Sequence, residues 1–398
     1  MVQSTAALIV GFTIQGLAVA RALASRGVKV YVVERSDEGT TAKSAAVKFF
    51  VRAGMKPKEL TQTLLDLRRE LPEQRIVLFP GSDRTVRAVA RNWEVLGQHY
   101  LLSWAAHVDF VPRLTYKSAV LEIAQSSATR FPATCDINST ADIAQLSRLR
   151  LPVIVKPNRP PGQFKTFIAT DHGELRRFVE GRAEQLPFVA QEYIEGGDEK
   201  LVFCTMFLDR GREVANMTGR KLRSFPAGRG RGTVIETNSD ARVLDAARRY
   251  FAGLPLSGPV SIEFKMDAQG ELWMIEPNVG RTEFCVDAII QSGLNLPYME
   301  FCYALGEAYE HLANEPRQAV IWFDTQSDPL CYVLTCLKHG KLKPFGKRPV
   351  FPFLGHGQPG LVVHAWVSLL GRKTAHVRDA VMRRVRRLLG ATPAQAKT

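Results

Sequence analysis

Residues 257–283 read SGPVSIEFKMDAQGELWMIEPNVGRTE and limit the fold more tightly than any other stretch of the chain. Val260, Ile262, Phe264 and Met266 alternate with Ser261, Glu263 and Lys265, the period-2 pattern of a half-buried strand. Asp-Ala-Gln-Gly at 267–270 is turn chemistry, so a β-hairpin is predicted. A four-residue loop pairs Met266 with Glu271, Phe264 with Trp273, Glu263 with Met274, Ile262 with Ile275 and Ser261 with Glu276. In that register Glu263 and Glu276 are diagonal neighbours on one face, with backbones roughly 7–8 Å apart. Asn278 points the same way. Two carboxylates and an amide oxygen suit Mg²⁺ bound together with nucleotide phosphates. A solvated polar face of an antiparallel sheet is the other reading of the same residues. Pro277 cannot donate to a ladder and is expected to end the strand.

At 398 residues the chain calls for two to three domains. No run approaches ~18 apolar residues, so no transmembrane helix is expected. The N-terminus enters an apolar strand without the basic region of a signal peptide, and the expected location is cytoplasmic. Six cysteines without a CxxC pair read as buried thiols, and the eight histidines show no HExxH spacing. The net charge of +14 raises the question of a polyanionic partner. Residues 372–398 hold eight Lys or Arg and one acid, half of that charge, and the remainder is spread along the chain, which argues against nucleic acid and fits phosphates in an active site.

Residues 7–34 read strand, turn, helix, strand, a βαβ opening of Rossmann type. Gly11 and Gly16 frame the turn, but Thr13 stands where a dinucleotide fingerprint needs its second glycine, which favours a structural unit over an NAD site. A strand at 75–79 runs into Pro80-Gly-Ser-Asp-Arg84, a ligand-binding position at the end of a parallel strand or a cap for the next helix by Ser82 or Asp83. Further on, Leu151-Pro-Val-Ile-Val-Lys156 is an apolar strand carrying one lysine. A buried ammonium is costly without an anion, so Lys156 should meet one. A basic loop at 159–165 ends in Lys165, and the strand at 188–194 breaks at Glu195-Gly196-Gly197-Asp198. Hairpin strands at 201–208 and 214–218 precede the basic run at 219–223 and a Gly/Arg loop at 226–232.

These pieces, in this order, resemble the ATP-grasp superfamily from about Lys117 to Gly306, preceded by a domain like the Rossmann-like domain that family carries. The resemblance implies an α/β (α+β) chain: a Rossmann-like pre-ATP-grasp domain at 1–108, a small lid subdomain at 109–190, a nucleotide- and metal-binding subdomain at 191–306, and a C-terminal extension with a basic tail at 307–398. It implies that Lys117 and Lys156 contact ATP phosphates and that the loop to Lys165 is the lid. Gln191 and the backbone of Glu192, Tyr193 and Ile194 would meet adenine, and Asp198 the ribose. Glu263, Glu276 and Asn278 would hold Mg²⁺, with Mn²⁺ as the alternative ion. The lid here is poor in glycine, and Arg281 matches the family's substrate-side arginine only loosely.

Within the superfamily the chain looks most similar to bacterial carboxylate–amine ligase-like proteins. That implies ATP phosphorylates a small-molecule carboxylate and an amine, less often a thiol, attacks the acyl phosphate. Arg281 would hold the carboxylate, and Lys221 would neutralise charge on the transferring group. A non-catalytic ATP sensor that keeps the fold is the alternative, and an NAD-dependent oxidoreductase is a further rival. Arg383, Arg384, Arg386 and Arg387 interleave with Val381, Met382, Val385, Leu388 and Leu389, which predicts a basic amphipathic helix: either a peripheral contact to an anionic membrane or a packed helix with a solvated basic face.

Overall fold

The structure, a computed structural model, describes residues 3–35, 47–157, 164, 166–228, 230–338 and 346–352. Lys165, most of the 159–165 loop and the basic tail lie outside the described residues. Strands β1 (Thr5–Val10), β2 (Lys29–Glu34), β3 (Lys48–Val51) and β4 (Arg75–Pro80) form an all-parallel sheet in the order β3-β2-β1-β4. The apolar run of β1 is buried on both faces, as a parallel strand between helices requires. The helix Ile14–Ala24 returns the chain from β1 to β2.

Strands β5 (Thr134–Ile137), β6 (Val153–Pro157), β7 (Phe167–Ala169) and β8 (Phe188–Glu192) build an antiparallel sheet ordered β5-β8-β6-β7. It has its own small core, including Ile137, Val155, Leu175 and Phe188. The third sheet is the largest: β9 (Leu201–Asp209), β10 (Arg212–Phe225), β11 (Arg231–Asn238), β12 (Gly258–Met266), β13 (Leu272–Val279), β14 (Val320–Phe323) and β15 (Arg348–Val350), ordered β13-β12-β9-β10-β11-β14-β15. Thus β14 and β15, from the segment predicted as an extension, complete one side of this sheet, β14 paired with β11 and β15 at the edge. The run at 219–223 is the continuation of β10, not a segment after the hairpin, because it pairs with β11 as far as Phe225.

One core cluster joins a face of the parallel sheet to Val260, Ile262 and Phe264 of β12, and a second joins the other face to the helices Val286–Gln291 and Leu296–Leu305 and to Trp322. Trp104, fully buried, donates from Nε1 to Gly280 O at 3.0 Å. Gly280 has φ +69°, and a Cβ there would lie 2.7 Å from Val111 Cγ1, so glycine is required where the end of β13 meets the preceding domain.

The predicted hairpin is present as β12 and β13, but its register differs from the expected one. Asp267 Oδ1 accepts from the amides of Gln269 and Glu271, which lengthens the loop and starts the ladder at Met266 opposite Leu272. A bulge then falls between Phe264, opposite Met274, and Glu263, opposite Glu276. The carboxylates are therefore directly opposed, not diagonal. Without the bulge Glu263 would face Ile275; the extra residue brings Glu276 into line. Pro277 does not end the strand. β13 is the sheet's edge, where a missing N–H costs no ladder bond, and pairing continues to Val279.

Candidate active site

Directly opposed residues of an antiparallel pair share a face, so Glu263 and Glu276 project together into a cleft of about 340 Å³. Lys221 of β10, Arg231, Asn278, Arg281 and Glu283 also line it. Like charges in opposed positions repel. Enclosure by the cleft walls raises both carboxylates above their ordinary range; for Glu276 the facing Glu263 adds to this, while Lys156 draws it down. Solvent reaches Glu276 through the open cleft, so enclosure acts on it less fully than on Glu263. Lys221 is the strongest attraction on Glu263.

Lys156 emerges from β6 and faces these acids: burial lowers its pKa, while Glu276 and Glu263 oppose that shift. Lys117 opens the helix Lys117–Ser126; the protein packed around it and Lys156 lower its pKa, although its side chain still reaches solvent, and Glu276 is among its attractors. The buried lysine of an apolar strand thus meets its anions, in the two acids of the hairpin. Among the described residues no group of three His, Cys, Asp or Glu is spaced to hold a metal. The cleft offers two carboxylates and one amide oxygen, a donor set that fits Mg²⁺ sharing its shell with phosphate and water.

The residues predicted for adenosine lie at the edge of the small sheet. Gln191 is buried and donates from Nε2 to Thr134 Oγ1 at 3.0 Å. Glu192 Oε1 accepts from Arg150 N at 2.9 Å, and Tyr193 N donates to Pro152 O at 2.8 Å. Ile194 is half-buried in the break that follows β8. Asp198 already accepts from Ser224 N at 2.7 Å and from Ser224 Oγ. Lys265, on the polar face of the hairpin, donates from Nζ to Gly196 O at 2.7 Å and lies over the Tyr193 ring, tying this break to the β12–β13 hairpin.

Arg281 is engaged on two sides. Its Nε donates to Asp83 Oδ1 at 2.5 Å and its Nη2 to Asn278 Oδ1 at 2.6 Å. Asp83 is the first residue of the helix Asp83–Arg91 and lines a second cavity, about 430 Å³, with Gly11, Thr13, Glu34 and Arg84 at the carboxyl ends of β1 and β4. The Asp83–Arg281 pair therefore joins the two cavities. Ser82 caps that helix: Thr85 N donates to Ser82 Oγ at 3.2 Å and Ser82 N to Thr85 Oγ1 at 2.8 Å. Removing the cap in Ser82→Ala is expected to cost about 1 kcal/mol in denaturant unfolding; an unchanged midpoint would show that the helix start is held by Asp83 and Arg281 alone.

Sequence reasoning did not single out Glu283 or Arg231. Glu283 accepts from Cys285 Sγ and is buried beside Glu263. Arg231 packs its guanidinium 4.2 Å from the Phe284 ring centre and pairs with Asp324 at 3.3 Å. Its place in a Gly/Arg loop was visible, but Asp324 comes from β14's end, almost a hundred residues away.

No family model matches the chain. Among curated proteins it is similar to D-alanine–D-alanine ligase B of Chromobacterium violaceum, 24% identical over 242 residues, spanning 56% of this chain and 74% of that one. Among solved structures it is similar to an L-amino acid ligase from Bacillus licheniformis (TM-score 0.60, 17% identity, 79% of this chain and 78% of that one). It is also similar to N5-carboxyaminoimidazole synthetase from Staphylococcus aureus (TM-score 0.62, 15% identity, 87% and 91%). These are ATP-grasp ligases, and the chain has the ATP-grasp fold.

Proposed function

We propose that this chain is an ATP- and Mg²⁺-dependent ligase that joins a small-molecule carboxylate to an amine through an acyl phosphate. The observation that carries this reading is the opposed pair Glu263 and Glu276, with Lys156 and Lys117 facing them from the other lobe. Two acids set directly opposite each other, with two lysines facing them across the cleft, form the mixed-charge lining that a metal–triphosphate group suits.

Glu263, Glu276 and Asn278 would hold Mg²⁺, or Mn²⁺ in its stead, whose chemistry is to neutralise phosphate charge and orient the transferring group. Lys117 and Lys156 neutralise phosphate oxygens and Lys221 the group in transfer. Gln191 and the backbone of Glu192, Tyr193 and Ile194 take the base. Asp198 takes the ribose hydroxyls, exchanging its bonds to Ser224. The γ-phosphoryl group leaves ADP and bonds to a carboxylate oxygen; the amine nitrogen then attacks the carbonyl carbon, inorganic phosphate departs and the nitrogen loses a proton. Arg281 has donors beyond the two it gives to Asp83 and Asn278, and these can hold the substrate carboxylate. The similarity to ligases of amino acids supports the substrate class. Among the described residues no helix is long and apolar enough to cross a membrane.

Titration with MgATP followed by calorimetry, then ADP release with pooled amino acids and other small carboxylates and amines, tests the proposal. Binding that requires Mg²⁺ and turnover that requires both pools are expected. Tight MgATP binding with no stimulation by any mixture would replace the ligase with a nucleotide sensor.

A further inference from the structure

Nine large hydrophobic side chains are exposed among the described residues, and four of them, Leu330, Val333, Leu334 and Leu337, belong to one short element, the helix Cys331–Lys338 and the residue before it. Leu334 N donates to Leu330 O at 2.9 Å, so Leu330 lies on the same helical path. The i, i+3, i+4, i+7 spacing aligns the four as one stripe, exposed by 59, 52, 37 and 72%. The opposite side of the helix is the seated one, where Cys331 and Thr335 are buried and Cys331 packs with Val234, Ile321 and Phe323. The helix therefore rests on the large sheet through Cys331, Thr335 and the Tyr332 ring, which packs on Phe323, and turns its large aliphatic residues outward. A contiguous exposed apolar stripe on a folded protein marks an interaction or membrane surface.

The charge around the stripe identifies what it meets. Residues 329–398 hold 13 of the 53 Lys and Arg but only Asp379 of the 39 acids, which is +12 of the net +14. No acid occurs from residue 329 to 378. Lys338 closes the helix, exposed, and Lys341 and Lys343 follow it in sequence, interleaved with Leu342. Lys347 pairs with Glu236 at 3.2 Å and Arg348, though exposed, donates to Gln291 O, so both are already engaged. Durable peripheral attachment takes two signals, apolar insertion and attraction of cations to anionic headgroups, and the stripe, its exposed Lys338 and the acid-poor sequence that follows carry both. The stripe is aliphatic and offers no ring on which a base can stack, which argues for lipid over nucleic acid.

We propose that the helix Cys331–Lys338 is a docking surface for an anionic lipid bilayer, its aliphatic stripe entering the headgroup boundary beside the exposed Lys338. The described apolar stripe supplies the anchor, in a position the sequence reading did not single out. This surface is independent of the ligase reading.

The test is sedimentation of the full-length protein with vesicles of phosphatidylcholine alone or with about one third phosphatidylglycerol, an anionic content sufficient to attract polybasic segments. Binding to the anionic vesicles only, weakened by salt, is expected. Val333→Ser with Leu337→Ser alters two exposed positions without changing charge, and should lower the partition coefficient by about tenfold or more at an unchanged unfolding midpoint. Four results would overturn the proposal: no vesicle binding, equal binding to neutral vesicles, an undiminished partition of the double variant, or wild-type self-association that the double variant abolishes. Retention of polyuridylate without vesicle binding would point instead to nucleic acid and overturn it equally.

Discussion

Glu276→Gln is expected to lower ADP formation by about a thousandfold or more, the scale on which loss of one electrostatic partner of the transition state is felt, while leaving the metal-free protein at least as stable as the wild type. The two halves of this expectation come from one geometric fact. The bulge in the hairpin sets Glu263 and Glu276 directly opposite each other, an arrangement that destabilises a sheet when both are charged. Both carboxylates titrate above the ordinary range, through enclosure first and, for Glu276, also through its facing acid. The sign follows: a carboxyl whose folded-state pKa is raised is better tolerated protonated, so its contribution to stability is lost as pH rises through that raised value. The metal-free wild type should therefore gain stability on addition of Mg²⁺ at neutral pH, and Glu276→Gln should lose that gain. Thermal unfolding with and without Mg²⁺, beside an ADP assay, reads both. An active variant of normal fold, or one that still gains the full Mg²⁺ stabilisation, would remove Glu276 from the metal site.

Much of this site was legible because its parts are local. The alternation of residues 260–266 and the turn at 267–270 fixed a hairpin, and a lone lysine in the apolar run of β6 demanded an anion wherever the fold supplied one. The exact register was not legible. It depends on Asp267 capping its own loop and on one extra residue near Ile275, details worth too little energy to show as a pattern of residue types. Pro277 misled because its effect depends on strand position: it breaks an interior strand and is harmless at an edge, and edge position is decided by sheet order. The Asp83–Arg281 pair spans 198 residues, and Arg231–Asp324 spans 93; neither has a spacing that a chain can advertise. The joining of β14 to β11 was hidden for the same reason. Its four residues, all buried, read equally well as a strand of a separate unit.

Glu300→Gln is expected to stabilise the protein by several kcal/mol at pH 8 and by little at pH 5. Glu300 lies on the helix Leu296–Leu305, is 1% exposed, and has Ser103 Oγ at 2.7 Å as its hydrogen-bond donor. Burial pushes its pKa from 4.5 to about 8, with the Ser103 hydrogen bond pulling weakly the other way. Below about pH 4.5 the carboxyl is protonated whether the chain is folded or not, and its full contribution is present. From there to about 8 the unfolded chain releases the proton and the folded one retains it, so stability falls by up to about 1.4 kcal/mol per pH unit, about 5 kcal/mol over the whole window as an upper limit. Glutamine keeps the shape and the acceptor for Ser103 and has no proton to lose, so the variant should escape the decline. No role in the cleft is assigned to Glu300, and ADP formation should be unchanged. The measurement is the difference between variant and wild type in denaturant unfolding from pH 5 to pH 8.5, since groups common to both cancel. A difference that grows across that range supports a neutral carboxylic acid held between the parallel sheet and β12; parallel curves would mean that Glu300 is ionised in the folded state and reached by water.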